Sequence, residues 1–89
     1  MNDPRTASRQ QITELYFEAA KEFNDSPYSR ESGYHVVPLP AHHVTEAMQV
    51  AALLPPGGTV LDVGTGYGVI PRIMQRLGAR AISTDFPTT

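Results

Sequence analysis

Thr59-Val60-Leu61-Asp62-Val63-Gly64-Thr65-Gly66-Tyr67-Gly68-Val69-Ile70 is the stretch whose reading decides the fold. Its first half is a β-rich, almost continuous apolar run. Such a run suits a strand covered on both faces, as in parallel sheets. Three glycines at alternating positions then break it. Beyond them Val69, Ile70, Ile73, Met74 and Leu77 recur at helical spacing, and Gly78 stands where a helix C-cap is expected. Pro71 falls in the first turn, where a missing N–H costs little. Ala79 to Thr84 reads as a second strand, with Asp85 at its carboxyl end. The order strand–loop–helix–strand predicts a parallel pair joined by a right-handed crossover.

Two helices are expected ahead of this unit. Ser8-Arg9-Gln10-Gln11 fits a capping box, in which the Ser8 hydroxyl and the Gln11 side chain each satisfy a free backbone N–H. Ile12, Leu15, Tyr16, Ala19, Ala20 and Phe23 follow on one helical face, and Asn24-Asp25-Ser26-Pro27 carries the turn chemistry of an end. Residues 25–40 hold Pro27, Gly33, Pro38 and Pro40 and read as a loop, with a short extended piece over Tyr34–Val37. A second helix is expected from Ala41 to Leu54. Its buried stripe would be Val44, Ala47, Met48, Ala51 and Leu54 or Ala52, before Pro55-Pro56-Gly57-Gly58 stops it.

The fold class implied is α/β, a parallel strand–helix–strand unit preceded by two helices. We divide the chain into 1–40, an N-terminal helix and a candidate lid loop, and 41–89, which holds the second helix and the strand–helix–strand unit. Leu, Ile, Val and Phe supply 20 of 89 residues, so any core is thin. Two strands leave open sheet edges, and low stability is expected.

Composition removes several classes of function. There is no cysteine, hence no disulfide scaffold and no thiolate metal site. No apolar run is long enough to span a membrane, and Met1-Asn2-Asp3-Pro4-Arg5 has no signal-peptide character, so a cytoplasmic location is the default expectation. The net charge of −2, with Lys21 as the one lysine, argues against duplex nucleic acid as a partner.

The chemistry resides in Asp62, Gly64, Gly66, Gly68 and Asp85. A glycine turn between strand and helix lets a ligand approach the backbone, and the amides opening the helix favour negative charge. Asp85 follows Gly64 by 21 residues, the separation at which an acid closing the second strand can accept hydrogen bonds from ribose hydroxyls. The dinucleotide fingerprint G-x-G-x-x-G needs glycine at position 69, which is Val69. A pyrophosphate is therefore poorly served. Asp62, two residues before the first glycine, would repel a phosphate and suits a ligand bearing an ammonium group.

Residues 60–68 resemble the first motif of class I S-adenosylmethionine-dependent methyltransferases, an apolar strand and an acid, then one apolar residue and G-x-G-x-G. Ala81-Ile82-Ser83-Thr84-Asp85-Phe86 resembles the second motif of that family. The likeness covers about 59–87. It implies S-adenosyl-L-methionine as cofactor. Gly64, Thr65, Gly66 and Gly68 would lie against its methionine part, Asp62 would help place the amino group, Asp85 would hold the ribose and Phe86 would flank the adenine. It also implies a seven-stranded Rossmann-like parallel sheet, of which this sequence carries two strands, so that 41–89 would be the start of a cofactor-binding Rossmann-like domain. The chain is accordingly expected to be an N-terminal portion, or to be completed by a partner. The methyl acceptor is expected to be a small molecule rather than a macromolecule, and no residue is identified as general base.

His35, His42 and His43 are read as surface or loop residues, since adjacent histidines do not supply the i, i+4 spacing of a metal pair; no metal site is expected. Tyr28 and Tyr34, with Ser29, Ser32 and Gly33, form a hydroxyl-rich loop that could serve as a lid or simply pack on the surface. Two other functions stay open, an NAD-type oxidoreductase fragment and a non-enzymatic methyltransferase-like interaction module.

Overall fold

The computed structural model describes residues 3–64 and 68–84. A short 3-10 turn, Pro4–Thr6, leads into α1, Arg9–Asn24; then come α2, Pro27–Ser32, α3, Pro40–Leu53, β1, Thr59–Val63, α4, Val69–Arg76, and β2, Arg80–Thr84. The architecture is mixed α/β, several helices around a two-stranded parallel sheet.

The capping box forms as the sequence predicts. Gln11 N–H donates to Ser8 Oγ at 3.1 Å, and Ser8 N–H donates to Gln11 Oε1 at 2.9 Å. At the other end of α1, Lys21 Nζ donates to Asp25 Oδ2 at 2.7 Å. That hydrogen bond, with the lysine's charge, holds the Asp25 carboxyl below its ordinary range. A depressed carboxylate stabilises the fold above its unfolded pKa and loses the effect as pH falls through the folded one. At so exposed a site the effect is small.

Residues 25–40 are not the plain loop that their prolines suggest. Ser26 caps a new helix, accepting from Ser29 N–H at 3.2 Å, and Pro27 opens α2. The residue that cannot continue α1 is thus well suited to start α2, because the first helical position needs no N–H. No strand forms over Tyr34–Val37. Val36 pairs instead with a side chain: its N–H donates to Asn24 Oδ1 at 2.8 Å, and Asn24 Nδ2 donates to its carbonyl at 3.0 Å. The second long helix starts one residue earlier than expected, since Pro40 also takes an opening position.

One core joins the helices. Ile12, Tyr16 and Ala19 of α1 meet Val44, Ala47 and Ala51 of α3 and Val69, Ile73 and Met74 of α4, with Leu54, Leu77 and Ala79 closing the cluster. Met48 packs at its margin, and Ala52 is exposed. Tyr16 is fully buried yet satisfied at its hydroxyl, which accepts from Leu39 N–H at 2.9 Å. Across the surface above this core Glu22 pairs with Arg72 and Arg76, and Glu18 lies 3.7 Å from Arg76. Residue 22 meets 72 while 18 meets 76, so α1 and α4 run antiparallel.

The sheet departs from the expectation of burial on both faces. Along β1 Val60 and Asp62 are half-buried towards the helices, whereas Leu61 and Val63 are 64% and 71% exposed. Ile82 of β2 is 53% exposed. Successive side chains of a strand point to opposite faces, and among the described residues the helices cover only one of them.

Ile73 and Met74 carry no exposed surface. Ile73→Ala should lower the free energy of unfolding by about 2–5 kcal/mol in urea titrations, because both transfer energy and a cavity term are lost. Tyr16→Phe, which removes only the acceptor for Leu39 N–H, should cost about 1 kcal/mol in the same assay.

Candidate functional site

The parallel register decides where the site residues meet. Asp62 stands opposite Ser83 and Val63 opposite Thr84. The ladder extends one step further, with Gly64 N–H donating to Thr84 O at 2.8 Å. The carboxyl ends of β1 and β2 therefore lie side by side, and the glycine turn leaves the sheet where β2 also ends. Of the residues singled out for cofactor binding, Asp62, Gly64 and Gly68 are described; Thr65, Gly66, Asp85 and Phe86 lie outside the described residues.

Gly64 and Gly68 have φ of 71° and 73°, and among the described residues a Cβ built on either meets nothing within 4 Å. The constraint is therefore the backbone conformation, which L side chains adopt only at a cost. Gly68 is also the N-cap of α4, and among the described residues no side chain caps that end. Arg72 N–H closes the first helical turn onto Gly68 O at 3.2 Å. The amides of Val69 and Ile70 thus face the turn at the positive end of the helix dipole.

Asp62 lines a cleft of about 140 Å³ together with Val60 and Leu61 of β1, Ile70 of α4, and Glu46 and Val50 of α3. The walls are apolar, and two carboxylates supply the charged groups. A larger groove of about 230 Å³ runs along Gln11, Glu14, Leu15, Glu18, Arg76 and Leu77. It lies at the far end of α4 from the glycine turn and has no strand terminus in it. The smaller cleft is the one at the candidate chemistry.

Glu46 also lines this cleft, and sequence reasoning did not single it out. It sits one turn from Val50 and flanks the buried stripe of α3, so its place at the edge of that stripe is readable. That it shares a cleft with Asp62 follows from the packing of both α3 and β1 on α4. Its near neighbours are His42 Nε2 at 3.7 Å and His43 Nδ1 at 4.0 Å, both beyond hydrogen-bond range. His43 stacks on Tyr16, with ring centroids 5.4 Å apart and planes 19° apart. Among the described residues its buried Nδ1 has no hydrogen-bond partner.

Ser29 Oγ is buried and donates to Tyr34 O at 2.6 Å. The same oxygen lies 3.1 Å from His35 Nδ1. A hydroxyl has one proton, so His35 Nδ1 is the donor in that contact. These bonds and the Asn24–Val36 pair fasten the loop after α2. Since α1 runs antiparallel to α4, the Asn24 end of α1, and the loop tied to it, stands at the end of the molecule that carries the glycine turn. Among the described residues no group of three or more acidic or imidazole side chains could hold a metal ion, and no helix is long and apolar enough to cross a membrane.

The geometry defines a strand–glycine turn–helix–strand unit with an acid on the first strand. The chain is similar to a ribosomal protein L11 methyltransferase of Thermus thermophilus, at 43% identity over 47 residues. The match takes in 49% of this chain and 18% of the relative's length. No family model matches the chain, and no solved structure matches it. The likeness supports a relationship to methyltransferases at a coarse level.

Gly68→Ala should lower stability by about 1 kcal/mol through the positive φ alone, and Gly68→Asn should recover most of that loss, since Asn tolerates the left-handed region. Thermal unfolding of the two variants beside the parent protein checks this; equal losses in both would show that the side chain, not φ, is at fault.

Proposed function

We propose that this chain is the cofactor-binding portion of an S-adenosylmethionine-dependent methyltransferase with a Rossmann-like sheet. The observation that carries the reading is the parallel pairing of β1 and β2, which brings the start of the glycine turn and the end of the second strand to one end of the sheet. The sequence motifs and the likeness to a methyltransferase point the same way.

The described residues fit such a cofactor. Among the described residues nothing stands within 4 Å of a Cβ built on Gly64 or Gly68. Asp62 lies in an apolar-walled cleft at the carboxyl end of β1 and suits the ammonium of the methionine part. The opening amides of α4 suit its carboxylate. Asp85, directly after Thr84 in sequence, is proposed to take the ribose hydroxyls, and Phe86 to flank the adenine. When bound, the sulfonium supplies an activated methyl group for in-line displacement. The work of this chain is then to position the cofactor. The carboxylates of the cleft oppose a pyrophosphate, so an NAD-type ligand is not favoured.

Titration calorimetry on the full chain tests the reading. S-adenosylhomocysteine should bind and NAD should not, and Asp62→Asn should weaken S-adenosylhomocysteine about tenfold, the scale of one charge-assisted hydrogen bond. NAD binding that is stronger than S-adenosylhomocysteine binding and survives Asp62→Asn would reverse the assignment.

A further inference from the structure

We infer that residues 34–39 form a strap that opens and closes on α1 as one unit, separately from the core. The strap joins α2 to α3 and is itself neither helix nor strand. Side chains, not a backbone ladder, tie it down. Tyr34 N–H donates to Ser32 Oγ at 3.2 Å, and Tyr34 O accepts from Ser29 Oγ at 2.6 Å. Asn24 holds Val36 at both its N–H and its carbonyl, at 2.8 Å and 3.0 Å. Leu39 N–H donates to the Tyr16 hydroxyl at 2.9 Å. Val36 is buried, whereas Tyr34, Val37 and Leu39 are 51%, 74% and 67% exposed.

Tyr16, Ala20 and Asn24 recur at i, i+4 spacing and so share one line along α1. Ala20 is 1% exposed, yet neither it nor Val36 belongs to the core cluster. The strap therefore covers Ala20 between its two fastenings on α1, in a small contact of its own. A unit that buries Val36 and is otherwise held by side-chain bonds opens at a lower free energy than a core in which Ile73 and Met74 are wholly buried. Its two ends suit such a motion. Gly33, just before it, has φ of 73°, and among the described residues a Cβ there would meet nothing within 4 Å. Leu39, at its far end, is the N-cap of α3 and makes no side-chain cap. Opening bares the Tyr16 hydroxyl and frees the start of the helix whose Val50 lines the cleft of Asp62. A fixed surface loop would instead yield only when the core unfolds.

Amide hydrogen exchange on the full chain, followed by NMR in urea below the unfolding transition, separates the two. The Val36 and Leu39 amides should be protected and should exchange through one common opening, populated at least about tenfold more than the opening that releases Leu77 and Ala79. Those two reporters are the amides bonded to Ile73 O at 3.0 Å and to Met74 O at 2.9 Å. Added urea should speed Leu77 and Ala79 and leave the strap amides nearly unchanged, since opening the strap exposes little surface. Asn24→Ala should speed Leu39 about tenfold or more, although Leu39 N–H bonds to Tyr16 and not to Asn24. Ile73→Val, a mild core change that leaves the chain folded, should speed Leu77 about fivefold and keep Val36 and Leu39 within about twofold of the parent. Strap amides that exchange with the rate and urea slope of Leu77 would overturn the inference, and so would strap amides with no protection at all. A Leu39 rate untouched by Asn24→Ala would show that the strap is not one unit. Equal acceleration of the strap and α4 by Ile73→Val would show that it opens only with the core.

Discussion

Two parallel strands cannot be joined by a tight turn. The chain must return the full length of the first strand before it can begin the second, and here α4 makes that return. Everything at the candidate site depends on this constraint. Because α4 carries the chain back, β1 and β2 finish at the same end, with Gly64 N–H still bonded to Thr84 O. The pairing holds because α4 is anchored through Ile73 and Met74, which are wholly buried against α1 and α3.

The N-terminal helices have two effects. They bury the apolar face of α4 together with the sheet, and they bring polar groups to the end of the molecule where α4 begins. The antiparallel run of α1 against α4, marked by Glu22 and Arg72 at one level and Glu18 and Arg76 at the next, sets the Asn24 end of α1 at the end of the molecule where α4 begins. Asn24 then imitates a strand edge for Val36, and Ser29 ties down Tyr34 and His35. The one face of the sheet left open, with Leu61, Val63 and Ile82, is where its apolar side chains meet no helix among the described residues.

The places where sequence reasoning fails share a cause. Pro27 and Pro40 read as breakers, yet both open helices, because a proline's effect depends on which side of it the helix lies. The apolar run of β1 implies burial on both faces, but a run of that kind reports only that side chains are apolar. Glu46 gives no signal of its own, since a single acid on a helix is ordinary until a strand comes to lie near it.

What the sequence determined by itself was local: the Ser8–Gln11 capping box, the helical stripes of α1 and α3, the strand before the glycines, the helix after them and the strand beyond. These follow from side-chain period, backbone freedom at glycine and capping chemistry, all of which act within a few residues. The tertiary structure alone decided which ends coincide and which side chains share a cleft. Asp62 and Glu46 come to one cleft because β1 and α3 both pack on α4, and Asn24 and Val36 meet through the return of the loop onto α1. Such meetings are set by the burial of one common core, and no local rule encodes them.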